Sequence, residues 1–297
     1  MIGKICGTGS SIPVKIMDND DLSNMVDTND AWIRERTGVE KRHIAESEST
    51  VSMAVEAGRR ALAQTGIQPE ELDMIVVSTM SPDAVLPCTA CEVQKAIGAE
   101  GAVCFDLQAA CTGFIFAYNT AQAYIQSNMC RTVLLIGSER LSRLVDWTDR
   151  GTCILFGDGA GAAVLKAAEG RAYLPVSHSD GKKGEALTCD RYIHMDGRAV
   201  FQFAVTRVPE VIREVLTKNE LIMDDIDYFV LHQANRRIVE AVAKRLRQPI
   251  EKFPMNLQEY GNTSSASIPI LLDEMNRSGK LKKGQKLIVA GFGAGLS

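Results

Sequence analysis

No run of apolar residues in this 297-residue chain approaches the roughly 20 that a membrane-spanning helix needs; the longest, such as Val133 to Ile136, are strand-sized. Excess positive charge is missing as well. With 33 lysines and arginines against 37 aspartates and glutamates the formal charge is −4, so no global basic field points to nucleic acid, though a local basic patch stays open. The opening MIGKICGTGS carries no apolar signal segment, and the eight cysteines are scattered instead of forming a dense disulfide framework; both predict a reducing, cytoplasmic setting. Cys88-Thr89-Ala90-Cys91 lacks a second ligand pair at zinc spacing, which favours two structural cysteines and no metal site. No low-complexity linker divides the chain. What is present is a hydrophobic content of 45%, enough for one large or two medium cores.

The organising signal is an internal echo. Val51 to Gln64 reads as an amphipathic helix that opens after Ser49 or Thr50 and stops at Gly66 and Pro69; Glu71-Leu72-Asp73 then leads into a strand, Met74 to Ser78. Later, a helix over Val208 to Lys218 is followed by Asp225-Ile226-Asp227 and a strand, Tyr228 to Leu231. Any doubly wound chain echoes itself weakly, so the repeat is suggestive of duplication without proving it. Further runs rich in Val, Ile and Leu, at Ala102 to Leu107, Thr132 to Ile136, Gly161 to Leu165 and Lys286 to Ala290, alternate with helical segments and predict an α/β protein with largely parallel, buried sheets.

Three residues stand where chemistry could occur. Cys111 lies between a strand and the apolar segment Phe114 to Ile125, a buried helix; at the N-terminus of such a helix, free amides and the dipole should favour thiolate and lower the pKa. An isolated free cysteine is more often a buried hydrophobe. His232 ends a strand in Val230-Leu231-His232-Gln233-Ala234-Asn235, and Asn262 lies in the turn-like Gly261-Asn262-Thr263-Ser264-Ser265, both at strand ends where α/β sheets place their sites. Each has a structural alternative: a satisfied histidine, and a cap for the helix Ser267 to Met275. Gly291-Phe292-Gly293-Ala294-Gly295 opens no helix, so a backbone amide offered to an oxyanion suits it better than a dinucleotide fingerprint.

Taken together, these segments resemble the β-ketoacyl-acyl carrier protein synthase III family of the thiolase superfamily, over nearly the whole chain. The resemblance rests on Asp27-Thr28-Asn29-Asp30-Ala31-Trp32-Ile33 with Arg36-Thr37-Gly38, Ala109-Ala110-Cys111-Thr112-Gly113, Asp146-Trp147-Thr148-Asp149-Arg150 with Phe156-Gly157-Asp158-Gly159-Ala160, His232-Gln233-Ala234-Asn235, and Gly261-Asn262-Thr263-Ser264. It implies a thiolase-like α/β fold, a duplicated five-layer αβαβα architecture with mixed, mostly parallel sheets. Residues 1–168 would carry the nucleophilic cysteine, and residues 169–297 the histidine and asparagine. It implies a cytoplasmic homodimer that initiates fatty acid synthesis by acylating Cys111 from acyl-CoA and condensing that acyl group with malonyl-acyl carrier protein, with no metal or nucleotide cofactor.

By the same resemblance His232 and Asn262 hydrogen-bond the malonyl thioester oxygen, and backbone amides of Cys111, Gly293 and Ala294 hold the oxyanion. Thr28, Trp32, Arg36, Arg150, Ala234 and Asn235 would line the CoA path, with the adenine stacked between Trp32 and Arg150. Arg236, Arg237, Lys244 and Arg245, with Arg247 just beyond, would dock the acidic carrier protein, although a solvated helix face is the plainer reading. Leu86 would enter the partner subunit's acyl pocket and, being smaller than phenylalanine, would admit primers larger than acetyl. Two departures from the family stand out: the stretch Leu187 to His194 is short, and the chain ends early at Leu296-Ser297. The competing expectations are a specialised relative in polyketide or quinolone synthesis, and an inactive carrier-binding scaffold.

Overall fold

In the computed structural model, which describes residues Met1–Ser297, one large sheet gathers five strands in the spatial order Ile2–Ser11, Gly159–Ala168, Thr132–Glu139, Met74–Ser78, Val103–Leu107. The last three run parallel to one another, and Gly159–Ala168 is antiparallel to both of its neighbours. Met74–Ser78 and Thr132–Glu139 are buried along their whole length, as continuous apolar runs in a sheet covered on both faces should be. Their alternate side chains go to opposite faces. Ile75, Val77, Leu134 and Ile136 pack against the outer helices Thr50–Ala63 and Thr89–Ile97, whereas Met74, Val76, Val133 and Leu135 pack inward.

The inward face meets two helices, Gly113–Gln126 and Ser267–Arg277, one from each half of the chain. Their side chains share one core, with Phe114, Ala117 and Ile125 beside Ile268, Leu271 and Met275, and Val230 reaches it from the far side. Val230 belongs to a second, parallel sheet of two strands, Tyr228–Leu231 and Leu287–Ala290. The opposite face of that sheet, Phe229, Leu231, Ile288 and Ala290, is covered by the helices Gly197–Lys218 and Arg236–Leu246. The order is therefore helices, sheet, helices, sheet, helices, with three apolar cores between five layers.

The echo extends further than the sequence signal. Helix, short 3-10 turn and strand occur as Thr50–Ala63, Pro69–Glu71, Met74–Ser78, and again as Gly197–Lys218, Met223–Asp225, Tyr228–Leu231; each series then reaches a middle-layer helix and a strand parallel to the first. Two elements differ from expectation. The helix before Tyr228 begins at Gly197, where Asp196 accepts from the amides of Arg198 and Ala199, and it carries Pro209 in its interior instead of near its start. The strand Ile2–Ser11 has no apolar run to announce it; its glycines let the outer helix press on its backbone.

Polar stitches fix the middle layer. The buried carboxylate of Asp273, on Ser267–Arg277, accepts from Thr8 at 2.9 Å and Ser10 at 2.6 Å on the first strand, and from its own-helix neighbour Arg277 at 3.0 Å. At Gly161 the same helix lies directly on the sheet: an added Cβ would stand 2.5 Å from the amide nitrogen of Ile270 and 2.7 Å from the carbonyl carbon of Pro269. Gly161→Ala should therefore cost about 1–3 kcal/mol of overpacking in urea unfolding; an unchanged midpoint would show that the helix does not rest on that strand.

Candidate active site

The strand Val103–Leu107 gives way to Gln108 and Ala109, and a single 3-10 turn, Ala110–Thr112, feeds straight into the helix Gly113–Gln126. Ala110 takes a left-handed φ of 44°, uncommon for a residue with a side chain, and a Cβ at Gly113 would collide with the hydroxyl of Ser78. This tight turn places Cys111 at the helix start, buried, with Ser264 on the wall of the same cavity. The expectation of a lowered pKa fails here. Burial pushes the Cys111 thiol up to about 11, outweighing the lowering pull of the Ser264 side chain, and the nearby Glu139 carboxylate pushes the same way. At neutral pH the group is a thiol whose proton must leave as it reacts.

His232 follows the strand Tyr228–Leu231, its amide donating to Ala290 at 2.9 Å. The ring Nδ1 is 2.7 Å from the hydroxyl of Ser267, and Phe292 presents to the ring at 5.3 Å between centroids. The amide of Gln233 reaches the same Ser267 oxygen at 3.4 Å, so the hydroxyl hydrogen is free to donate to Nδ1. With the hydroxyl donating to Nδ1, the ring proton sits on Nε2, which is then a donor. Burial holds the imidazole neutral, with its pKa lowered to about 3.

Asn262 is held at both ends of its backbone, its amide on Leu155 at 2.8 Å and its carbonyl accepting from Gly157 at 3.1 Å. Its side-chain oxygen accepts from the Ser264 amide at 2.8 Å, which turns the NH2 group outward as a donor. It caps this short turn rather than the helix Ser267–Arg277, whose N-cap is Ala266.

Cys111, His232 and Asn262 line one cavity of about 140 Å³ whose remaining wall is mostly apolar, including Leu141, Phe156, Ile193, Met195 and Val200. Two neutral donors and a thiol in such a space suit an acyl oxygen that gains charge. Gly293 closes over the cysteine: a Cβ there would lie 2.9 Å from the Cys111 Cβ and 3.1 Å from its nitrogen. Its amide already donates to Ser297 at 3.1 Å, so of the two loop amides expected to hold an oxyanion only that of Ala294 is free. No group of three or more His, Cys, Asp or Glu side chains converges as metal ligands would.

Toward the surface, Trp32 lies within reach of two guanidinium groups, Arg36 at 4.8 Å and Arg150 at 5.0 Å from the ring centre. Arg150 also donates to the Asp27 carbonyl at 2.9 Å, and the Thr28 hydroxyl is buried without a partner. Asn235 caps the helix Arg236–Leu246 through Arg237 and donates to the Arg36 carbonyl at 3.0 Å, joining this cluster to the cavity, which Ala234 and Asn235 line. On that helix Arg237 covers Phe201 at 5.6 Å, Arg236 flanks Gly38, Arg245 reaches the Thr206 hydroxyl at 3.5 Å and Lys244 is exposed; no carboxylate pairs with any of the four. Leu86 stands outside this chain's cavity, 82% exposed. The short stretch after Ala186 forms a hairpin, Leu187–Cys189 with Ile193–Met195, that walls the cavity. Ser264, Ser267, Phe292 and Glu139 have no place in the sequence reading as site residues. Their partners lie 35 or more residues away along the chain or arise from a fold-dependent turn, so no local pattern marks them.

Two family models match the chain, 3-oxoacyl-[acyl-carrier-protein (ACP)] synthase III over residues 105–181 and its C-terminal counterpart over residues 216–297. The chain is 47% identical to the β-ketoacyl-[acyl-carrier-protein] synthase III of Clostridium novyi, with 99% of this chain and 96% of the relative aligned. That alignment spans 311 positions, more than the 297 residues present, so the relative carries residues this chain lacks. The crystal structure of 3-oxoacyl-[acyl-carrier-protein] synthase III from Aquifex aeolicus superposes with a TM-score of 0.97 at 44% identity, covering 99% of this chain and 97% of that one. The priming β-ketosynthase of the R1128 polyketide pathway superposes at 0.95 with 37% identity, covering 99% and 93%.

The neutral histidine carries a consequence for stability. An unfolded histidine takes up its proton near pH 6.5, whereas His232 stays neutral down to about 3, so its contribution is complete above 6.5 and is lost as pH falls toward 3. His232→Gln should flatten the decline of the thermal midpoint across that window; a decline as steep as in the unaltered chain would mean that the ring is protonated while folded.

Proposed function

The chain belongs to the 3-oxoacyl-[acyl-carrier-protein] synthase III family, and from that premise we propose that Cys111, His232 and Asn262 carry its reaction. Its fold is the thiolase-like α/β fold, and its activity is that of a β-ketoacyl-ACP synthase III, a condensing acyltransferase that initiates fatty acid synthesis. The observation that carries the residue assignment is the convergence of one thiol and two neutral, oriented donors on one apolar cavity, contributed by both halves of the chain.

In the first half-reaction the Cys111 sulfur attacks the acyl-CoA carbonyl, the C–S bond to CoA breaks, and the thiol proton leaves with CoA as its free thiol. The amides of Cys111 and Ala294 receive the oxyanion. Malonyl-ACP then loses carbon dioxide, the electron pair of the breaking C–C bond moves into an enolate, and the Nε2–H of His232 and the NH2 of Asn262 stabilise its oxygen. The enolate carbon attacks the acylated Cys111; 3-oxoacyl-ACP leaves and the thiolate takes up a proton. These donors do the polarising, so the reading calls for no metal or nucleotide cofactor.

Acyl-CoA enters along Thr28, Trp32, Arg36, Arg150, Ala234 and Asn235. The exposed Arg237, Lys244 and Arg245, with the half-buried Arg236, face an acidic carrier protein, a docking role supported by their lack of carboxylate partners. A homodimer accounts for Leu86 and Val85 lying bare at 82% and 88%, Leu86 entering the partner's acyl pocket and leaving room for branched short primers. The division into 1–168 and 169–297 is supported by the large sheet's last strand ending at Ala168. No helix is long and apolar enough to cross a membrane, in keeping with a cytoplasmic enzyme.

Incubation with acetyl-, isobutyryl- or octanoyl-CoA should add one acyl mass to the intact chain and none to Cys111→Ala, with isobutyryl at least as efficient as acetyl; an adduct on Cys111→Ala would remove the nucleophile assignment. Asn262→Ala should still acylate while its condensation rate drops about 10²- to 10³-fold, the scale of one lost oxyanion donor. Equal losses in both half-reactions would place Asn262 elsewhere.

A further inference from the structure

Glu139 closes the strand Thr132–Glu139 and is completely buried, yet no lysine or arginine pairs with it. Four donors surround it. The hydroxyls of Ser81 and Ser265 lie at 2.6 and 2.7 Å, that of Thr79 at 3.3 Å, and the amide of Met80 reaches both oxygens at 3.1 and 3.3 Å. Three of these come from the loop after Met74–Ser78, and the fourth from the turn Ser264–Ala266. Ser264, the first residue of that turn, holds a left-handed φ of 49° and lines the cavity beside Cys111. Glu139 is thus the knot between the strand ends of the first sheet and the segment bearing Asn262.

The knot also accommodates a protonated Glu139. The Ser265 hydroxyl has a second acceptor, the Ser78 carbonyl at 2.9 Å, so it can turn its hydrogen there and accept one from the carboxylic acid. We propose that Glu139 is a positioning residue that pins the Ser264–Ser265 turn against the nucleophile and thereby sets the reactivity of Cys111. This rests on the assignment of Cys111 as the nucleophile.

Burial raises the Glu139 carboxyl to about 7, against the pull of Ser81, Ser265, Met80 and Thr79, so it changes charge in the neutral range. The ionisable groups facing it are Cys111 on the nucleophile turn and Arg140, the next residue, whose guanidinium turns away to the carbonyls of Ala45 at 3.2 Å and Glu46 at 3.3 Å. The loop after Ser78 and the Ser264–Ala266 turn present hydroxyls and an amide to it, Asp83 further along that loop accepting instead from the amides of Thr50 and Val51, and His232, across the cavity, is neutral throughout. Charged Glu139 disfavours the thiolate; protonated Glu139 releases it.

The test is the rate at which iodoacetamide alkylates Cys111 in the full chain between pH 5.5 and 9, read by peptide mass, for the unaltered chain, Glu139→Gln and Glu139→Asp, alongside kcat and KM. The unaltered chain should gain about tenfold per pH unit below 7 and then bend to a shallower slope; Glu139→Gln should rise without the bend and react at least about threefold faster at pH 8. Its kcat should fall about tenfold with KM for acyl-CoA unchanged, whereas Glu139→Asp should keep the bend at a displaced pH. A Glu139→Gln profile that superimposes on the unaltered one overturns the proposal. If Glu139→Gln does not fold, an undisplaced bend in Glu139→Asp overturns it equally. Condensation by Cys111→Ala would instead overturn the nucleophile assignment and leave the alkylation result standing.

Discussion

The structure depends on two helices, Gly113–Gln126 and Ser267–Arg277, sharing one apolar core between two sheets. A helix exposed to sheets on both sides cannot keep a polar stripe, and each residue it buries is paid for only if the partner helix is in register. That register sets the chemistry. Cys111 stands at the start of the first helix; Ser267, at the start of the second, holds His232; the turn just before it holds Asn262 and Ser264. Sliding either helix would separate the thiol from its donors. The contacts of Gly161 with Ile270 and of Asp273 with Thr8 and Ser10 therefore act on the site while lying away from it.

Burial also fixes the charge state of the site. In the same dry cavity the thiol is pushed up to about 11 and the imidazole down to about 3, so at neutral pH neither carries charge. An ionised cysteine–histidine pair is thereby disfavoured in the resting enzyme. Hydrogen bonds from His232 and Asn262 gain strength in that low-dielectric space when charge arrives on the substrate oxygen, and they need little reorganisation because Ser267 and the Ser264 amide have already oriented them.

Much of this was legible in the sequence. Strands such as Met74–Ser78 and Tyr228–Leu231 matched their apolar runs residue for residue, because a strand buried on both faces has no alternation to blur its ends. Ser49 marked its helix start through its cap. Ile2–Ser11 stayed hidden because glycines and polar residues build it, and the early start at Gly197 because an interior proline mimics a first turn. The site followed the same division. Cys111, His232 and Asn262 sit at element boundaries that sequence marks, whereas Glu139, Ser264 and Ser267 acquire meaning only through partners brought together by folding. The thiol's acidity was misjudged because helix position is visible in sequence and burial is not.

In the proposed reaction a single buried cysteine carries the acyl group between two substrates. Its most direct test is to acylate the enzyme with isobutyryl-CoA, remove all CoA species, and add malonyl-ACP alone while following enzyme and product by mass. One 3-oxoacyl-ACP per acylated chain is expected, formed as the acyl mass disappears from Cys111. An adduct that persists while product forms only on renewed addition of acyl-CoA would contradict it.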